Sequence, residues 1–427
     1  MRWVALAAVA ASLLPALPAR SSPGPATGDG PADTIVVLRP GVALGPVLVG
    51  LGLSDGGPTG AALTGGQRRR RAVQTFHAAF TGFAAELGPQ ARARLAADHR
   101  VAALLPNGRH PAAELDALFQ DTPVVDNAVR RVGALDSPTA AIDGYDTGVD
   151  ADIAVVDSGL ASANPELNVV GGVDCTGSGT WEDTVGHGTF VAGLAAARDD
   201  GRGVVGVAPG ARLWAVKVMG SDETVTDAAF LCGLDWVADN ASTLDVVNLS
   251  LGGPGNDADC GAGAYDAVGF EHAAVCRIVA AGVVAVASAG NSGADAGAGN
   301  PGGFPEVLTV SAITDTDGRP GGLGPPSSCY PGGDDTLAPY SDFGAPVDIA
   351  APGTCVESTW LGGQYVVASG TSAAAPLVSG AAALVRAVHP DWPVEMVREY
   401  LLATAASGPI AGDTDGYPEP VLDVTGY

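Results

Sequence analysis

Apolar residues divide the chain into two regions, and in the larger one short apolar runs alternate with alanine-rich stretches. The runs lie at residues 153–156, 213–218, 246–249, 283–287 and 308–310, and the alanine-rich stretches lie at residues 189–197, 227–237 and 373–388. Alternation of this kind predicts crossover units and a parallel sheet. Because the runs are apolar except for Lys217 and Asn248, rather than alternating apolar and polar, we expect strands buried on both faces, with helices on either side of the sheet.

A smaller region, residues 33–108, has a different pattern. Apolar runs at residues 34–38, 76–87 and 101–105 predict strands, and residues 89–98 predict a helix that Pro89 opens. The order is compatible with a small α+β unit of the split βαβ, ferredoxin-like type. The glycine-rich residues 52–66 and the run from Arg68 to Arg71 predict an exposed loop, in which the arginines form either a solvated cluster or a protease-sensitive site. Residues 108–125 are predicted to connect this unit to a domain at residues 125–427.

The first 20 residues have the pattern of a secretory signal peptide. Arg2 precedes an apolar stretch at residues 4–14, and small residues near Ala19 suit a cleavage site. An N-terminal membrane anchor is the alternative, although the stretch is short for one. The sequence therefore predicts a secreted, extracellular protein with no membrane contact after signal cleavage. Residues 21–32 are rich in Pro, Gly and Ser and are predicted to be a linker.

Charge and cysteine content narrow the class of protein further. Residues 1–110 hold 11 Arg against 5 acids, a balance of +6, whereas residues 111–427 hold 10 basic residues against 42 acids, a balance of −32. The acidic larger part argues against nucleic acid as a partner, and the opposite signs predict mutual attraction of the two parts. The chain of 427 residues has six cysteines, for which disulfides are favoured over a metal site because no CxxC motif accompanies them. Local separation suggests Cys260–Cys276 and Cys329–Cys355.

Three segments supply an acid, a base and a nucleophile at the ends of predicted elements. Asp157 ends an apolar run, His187 lies between two glycines before a predicted helix, and Ser372 precedes another. A serine hydroxyl needs an adjacent base to act as a nucleophile, and a buried carboxylate can orient an imidazole through its ring N–H. Each residue also has a structural alternative, such as a helix-capping role for Ser372. The order Asp, His, Ser distinguishes this plan from two other serine-hydrolase orders.

A fourth segment makes the set specific. Asn291 follows the run at residues 283–287, and a side-chain amide there can donate to the oxyanion of an acyl-transfer intermediate. All four segments resemble those of the subtilisin-like serine proteases (the subtilase family), and residues 33–108 resemble their inhibitory propeptide. The resemblance covers most of residues 33–405. It implies a secreted serine endopeptidase that works through an acyl-enzyme intermediate and is made as an autoprocessed pre-proenzyme.

The resemblance also implies a role for each site residue. Asp157 would orient the base, His187 would be the general base and acid, and Ser372 the nucleophile. Asn291 and the backbone amide of Ser372 would be the oxyanion donors.

Substrate-binding segments are implied in the same way. Ser250, Leu251 and Gly252 resemble the edge that pairs with the substrate backbone, and Gly220 lies in the segment resembling the opposite flank. Ala287, Ser288, Ala289 and Gly290 would line the primary specificity pocket. Their small, uncharged side chains favour apolar or medium-sized residues before the scissile bond.

Cofactors, partners and alternatives complete the sequence-based expectations. No cofactor is required, and no metal site is assigned. Calcium as a structural ion is an alternative to a solvated acidic surface, because acids are frequent in the loops. The expected partners are peptide and protein substrates and the chain's own propeptide, with the enzyme a monomer. The competing functions are a non-catalytic binding protein on a protease scaffold and a processing protease that cuts one partner.

Overall fold

The first region forms a five-stranded sheet covered by two helices among its described residues. The computed structural model describes residues 32–56, 71–111, 118–120, 126–255, 260 and 266–427. In the first region the elements are β1 (Ala32–Leu38), α1 (Leu44–Leu51), β2 (Leu53–Asp55), β3 (Arg71–Phe76), β4 (Gly82–Leu87), α2 (Pro89–Ala96) and β5 (Val101–Pro106). The strand order is β2-β3-β4-β1-β5, and β1 is antiparallel to both β4 and β5. Val36, Leu48 and Phe83 are fully or almost fully buried between the sheet and the helices.

The predicted strands and the second helix of this unit lie within one to three residues of their predicted limits, except that the run at 76–87 divides between β3 and β4. Helix α1 was not placed from the sequence. The predicted signal peptide, most of the predicted loop and the arginines at 68–70 lie outside the described residues.

The connecting region contains two short strands that pair with the larger domain, which differs from the expected plain linker. Strand β6 (Arg109–Pro111) is antiparallel to β11, and β7 (Leu118–Gln120) is antiparallel to β20. Neither has the length or apolar pattern that identifies a strand by itself, because both are edge additions to strands of the larger domain.

The larger domain is an α/β structure. In chain order its further elements are α3 (Asn127–Arg131), β8 (Asp152–Asp157), β9 (Val169–Asp174), α4 (His187–Ala196), β10 (Arg212–Lys217), β11 (Thr224–Thr226), α5 (Asp227–Asp239), β12 (Val246–Leu249), β13 (Gly253–Pro254), α6 (Ala267–Ala280), β14 (Val284–Ser288), β15 (Gly299–Asn300), β16 (Leu308–Thr314), β17 (Thr336–Leu337), β18 (Ile349–Pro352), β19 (Val356–Thr359), β20 (Tyr365–Ala368), α7 (Thr371–Val388) and α8 (Val394–Thr404).

The central sheet confirms the predicted architecture. Its order is β17-β16-β14-β12-β8-β10-β9, with β18 also paired to β16, and the pairs are parallel except for β16 with β17. Successive residues of β8 face opposite sides: Ile153 and Val155 pack with α4 and α7, whereas Ala154 and Val156 pack with α5 and α6. The sheet is therefore buried on both faces, as the apolar runs predicted. Within the described residues, α7 alone is long and apolar enough to span a membrane, but it is buried in this core.

All six cysteines are paired in three disulfides, as the even count favoured. Cys260–Cys276 and Cys329–Cys355 are the two pairs that local separation suggested, and Cys175–Cys232 is the third. The third bond joins the end of β9 to α5, and it closes a separation of 57 residues.

Candidate active site

Asp157 and His187 meet at the carboxyl end of the central sheet. Asp157 is the last residue of β8 and His187 the first of α4, and both side chains are almost fully buried. The Nδ1 atom of His187 lies 2.8 and 2.9 Å from the two carboxylate oxygens of Asp157. Burial of the ring opposes its protonation, but the charge of Asp157, the hydrogen bond to it and the charge of Asp183 outweigh burial, so the pKa of His187 rises above 6.5.

A second carboxylate, which the sequence analysis did not single out, fixes the loops that carry this pair. Asp183 accepts hydrogen bonds from the Ser158 hydroxyl (2.9 Å), from the backbone amide of Gly186 (2.8 Å) and from both the amide and hydroxyl of Thr189. Asp183 thereby ties the residue after Asp157 to the residues on both sides of His187. The imidazole is held in place by backbone anchors on either side of it.

Glycine is required on both sides of the imidazole. A Cβ atom on Gly186, whose φ is +109°, would lie 2.4 Å from the ring of Trp360, and one on Gly188 would lie 2.3 Å from the Gly159 carbonyl oxygen. The sequence pattern of His between glycines therefore reflects close approach of the neighbouring segments.

Ser372 lies in the first turn of α7, beside the residue that follows β12. Its hydroxyl donates to the Ser250 carbonyl at 3.3 Å, and the Ser250 hydroxyl donates to the Ser372 carbonyl at 3.1 Å. The second bond has a clear cause: Pro376, four residues on, has no N–H to donate to that carbonyl. Pro376 is the sixth residue of α7, inside the helix, so Ser250 compensates for the loss of its amide.

Asn291 is anchored to the same helix terminus. Its Oδ1 atom accepts from the backbone amide of Thr371 at 2.8 Å and from the Thr371 hydroxyl at 2.9 Å. With the oxygen engaged in this way, the Nδ2 amide is directed away from Thr371. The side chain lines the same cavity as Ser372. The Nδ2 amide thereby stays available as a donor in the cavity that Ser372 lines, near the end of α7 whose first amides have no partner within the helix.

A cleft of about 620 Å³ runs past Ser372 along the sheet edge. Six of the predicted substrate-binding residues line it: Ser250, Leu251, Gly252, Ser288, Ala289 and Gly290. The other two do not. Ala287 is fully buried in β14 and packs in the core, and the amide of Gly220 donates to the Thr224 carbonyl in a tight reversal of the chain. Val225 and Thr226 of β11 line the cleft instead. The edge that faces the cleft is therefore β11, which begins a few residues after Gly220.

The connecting strand β6 also contributes to this cleft, which the sequence did not predict. His110 and Pro111 of β6 line it, and β6 is antiparallel to β11, with Val225 opposite His110. His110 follows the small first unit in the chain, so its sequence position does not indicate a place in the cleft. Among the described residues, four carboxylates that the sequence did not indicate also line the cleft, namely Asp227, Glu271, Asp295 and Asp342. No local pattern marks them, because they come from separate elements that meet only in the fold.

Two groups of possible metal ligands lie outside the cleft among the described residues. Cys260, His272, Cys276 and Glu306 lie together, but the two sulfurs are bonded to each other and are not thiolates. His272 is fully buried, and its Nε2 lies 2.7 Å from Glu306, which provides the polar partner that burial requires.

A second group, Asp315, Asp317 and Asp334, has oxygen donors of the type that calcium prefers. The Arg131 guanidinium lies 3.5 Å from Asp315, and the oxygens of Asp334 accept hydrogen bonds from the amides of Thr316 and Gly324, so other groups already approach two of the three carboxylates.

Comparison with known proteins agrees with this geometry. Residues 146–423 match the profile described as the Subtilase family. The chain is 37% identical to Subtilisin NAT of Bacillus subtilis subsp. natto over 279 residues, which is 64% of this chain and 65% of that protein, and 36% identical to Subtilisin of Bacillus pumilus over 279 residues, 64% of this chain and 90% of that one. The match thus spans slightly less than two thirds of Subtilisin NAT.

Solved structures give the same result. The crystal structure of a cold adapted subtilisin-like serine proteinase superimposes with a TM-score of 0.53 and 29% sequence identity, over 66% of this chain and 91% of that chain. The family profile covers more than half of the chain, and the α/β fold is the one that the resemblance implied. The chain therefore belongs to the subtilase family of serine proteases.

Proposed function

We propose that this chain is a serine endopeptidase, made as a pre-proenzyme, that hydrolyses peptide bonds through an acyl-enzyme intermediate. The observation that carries the proposal is the contact of Asp157 with His187 at the sheet edge where Ser372 and Asn291 lie. Secretion is supported by the signal-like residues 1–20 and by the three disulfides, which persist in oxidising surroundings.

The chemistry assigns one task to each group. Ser372 Oγ attacks the peptide carbonyl while Nε2 of His187 takes its proton, and Asp157 holds the Nδ1–H tautomer and stabilises the imidazolium. Asn291 Nδ2 and the Ser372 amide donate to the oxyanion. His187 returns the proton to the leaving amine, and water then hydrolyses the ester by the same sequence of transfers. The hydroxyl must leave the Ser250 carbonyl to react, and a bond of 3.3 Å is long enough to exchange readily.

The pH dependence of the reaction follows from His187. The imidazole must be neutral to act as the base, so protonation removes activity. Because the pKa of His187 is raised above 6.5, we expect kcat/KM to increase with pH through a midpoint above 6.5. Initial rates on a peptide amide between mildly acidic and mildly alkaline pH measure this midpoint. A midpoint well below 6.5 would mean that Asp157 does not control the base.

Residues 33–108 are proposed to be an inhibitory propeptide that occupies the substrate cleft before maturation. The first region packs on α5 and α6: the amides of His77 and Ala78 donate to Asp235 at 2.5 and 2.9 Å, and the rings of Phe80 and Phe270 are 4.3 Å apart. Strand β6 then enters the cleft in the manner of an extended substrate. The enzyme is proposed to act as a monomer, with peptide and protein substrates and no nucleic acid partner.

Asp235 provides a test of this inhibitory contact. Replacing Asp235 with Ala leaves two propeptide amides without their acceptor, and we expect the released propeptide to inhibit about tenfold more weakly. The control is Glu399→Ala on the exposed face of α8, which should change inhibition little. Inhibition constants are measured against a peptide substrate at low and high salt. The +6 and −32 balances predict slower association at high salt, and equal constants at both salt concentrations would argue against that attraction.

The residue before the scissile bond is proposed to be apolar or medium-sized. Ser288, Ala289 and Gly290 provide a small, uncharged lining, and the nearby Asp342 already accepts the amides of Ser292 and Ala294. Digestion of a denatured protein, followed by mass spectrometry of the fragments, is expected to show cleavage after such residues. Clustering of cleavage sites after Lys or Arg would contradict this specificity.

No cofactor is proposed for the reaction, because the side chains supply acid, base and oxyanion donors. Calcium as a structural ion and a solvated acidic surface stay as alternatives for the group of Asp315, Asp317 and Asp334. Melting temperatures with and without a chelator distinguish the two.

Maturation tests the proposed function as a whole. The secreted wild-type protein should begin at one new N-terminus beyond the propeptide, and Ser372→Ala should keep the propeptide attached. N-terminal sequencing of both secreted forms makes the comparison. If the alanine variant is cut at the same junction without added protease, self-cleavage is wrong.

A further inference from the structure

The part of the cleft lined by the first residues of α5 and α6 carries two carboxylates together with apolar side chains. Asp227 is the first residue of α5 and Glu271 lies on α6, and both are almost fully buried while lining the cleft. Phe230 and Val268 line the same part of the cleft. We call the set formed by Asp227, Phe230, Val268 and Glu271 the acidic subsite.

The two acids interact unfavourably with each other when the subsite holds no cation. Burial, followed by the charges of Asp227 and Asp266, raises the pKa of Glu271 well above its ordinary value. Its Oε2 accepts one hydrogen bond, from Asn300 at 2.7 Å. A positive group placed near the two carboxylates would offset this repulsion and favour the charged form of Glu271.

The structure already contains a basic side chain at this position. Nε2 of His110, on β6, lies 2.7 Å from Asp227 Oδ1, while Asp227 Oδ2 accepts the amide of Gly108 at 2.8 Å. One carboxylate therefore holds both the backbone and the side chain of the strand that occupies the cleft. The hydrogen bond to Asp227 outweighs burial and raises the pKa of His110, which favours its charged form.

We propose that the acidic subsite is a specificity determinant that binds a basic side chain of the substrate, Arg or Lys, in the place that His110 takes. The inference rests on the proposed endopeptidase function and names a substrate class for it. The aliphatic part of a long basic side chain packs against Phe230 and Val268, while its charged end reaches Asp227 and Glu271. Arg suits the site best, because its planar group offers several donors to two carboxylates.

A local subsite can be distinguished from general attraction of basic peptides to the acidic domain. Only the subsite depends on the position of the basic residue in the peptide. Net charge acts on a basic residue anywhere in a peptide and is screened by salt. A subsite of two buried carboxylates acts at a single position and keeps most of its effect in salt.

The experiment measures kcat/KM of the mature enzyme on internally quenched peptides in which one Arg is moved through each position on the acyl side of the scissile bond. Leu and Glu replace Arg at each position as references. We expect Arg to exceed Leu by about tenfold or more at one position only, with Glu poorest there, at both low and high salt. Equal effects of Arg at all positions, or no preference for Arg at any, would overturn the subsite.

Two variants assign the effect to the named carboxylates. Asp227→Asn and Glu271→Gln keep the shape of the side chains, and each is expected to reduce the Arg-to-Leu ratio at that position severalfold, with the double variant abolishing it. Glu399→Gln, a neutralisation on the exposed face of α8, is the control and should leave the ratio unchanged. A ratio that survives in the double variant would overturn the proposal. If the enzyme cleaves none of the peptides, the endopeptidase function fails with it, whereas cleavage without positional preference contradicts the subsite alone.

Discussion

Replacing Ser372 with alanine is expected to lower kcat by about 10⁶-fold, the size of loss known for removal of the nucleophile in subtilisin itself. The change removes one oxygen from a helix terminus whose backbone is fixed by other contacts: the Ser250 hydroxyl donates to the Ser372 carbonyl, and the Thr371 amide donates to Asn291. Peptide binding should therefore persist while acylation stops. The measurement is kcat and KM on a peptide amide, with the protein kept free of other proteases.

Ser379→Ala provides a matched control for this loss. Ser379 lies seven residues later on the same helix, is equally buried, and donates to Asn248 and to the Ala375 carbonyl rather than to anything in the cleft. We expect its kcat to stay near that of the wild type, with a lower melting temperature because Asn248 loses a buried partner. Comparable loss of activity in both alanine variants would indicate damage to α7 rather than removal of a nucleophile.

Asn291→Leu is expected to lower kcat by about 10²–10³-fold with a much smaller change in KM, again the range known for this donor in subtilisin. The reason is that the amide contributes most when the carbonyl oxygen becomes an oxyanion, so its loss affects the transition state more than substrate binding. The contact of Asn291 Oδ1 with Thr371 fixes which end of the amide faces the cleft. Steady-state kinetics on one peptide amide separate the two effects.

Asn240→Ala is the control for Asn291. Its side chain caps the end of α5 by donating to the Trp236 carbonyl, so its replacement should affect stability and leave kcat unchanged. An Asn291→Leu enzyme that loses less than about tenfold in kcat, or that changes only in KM, would contradict the assigned donor.

Much of the central sheet could be predicted because its strands carry their signal locally. Residues 153–156 are continuously apolar and residues 246–249 are apolar except for Asn248, and the structure has β8 and β12 there with at most one residue of difference at either end. Asp157 follows directly from that pattern, because a polar residue at the end of a buried parallel strand lies at the edge where ligands bind.

The details that the sequence did not predict depend on partners far away in the chain. Strand β11 has three residues and no apolar run, so nothing in it marks the cleft edge until β6 pairs with it. Glu271 and His272 are polar residues on a helix and suggest a solvent-facing surface, yet both are buried because Asn300 and Glu306 pair with them. Asp227 and His110 are 117 residues apart, which is beyond any local pattern.

Covalent labelling measures directly whether Ser372 is activated by His187 and Asp157. The mature enzyme is treated with a serine-directed phosphonate, and the modified residue is located by peptide mass spectrometry. We expect one rapidly labelled serine, Ser372, with labelling lost in Ser372→Ala and strongly slowed in His187→Ala. Absence of labelling in the mature enzyme, labelling at a different serine, or an unchanged rate in His187→Ala would contradict it.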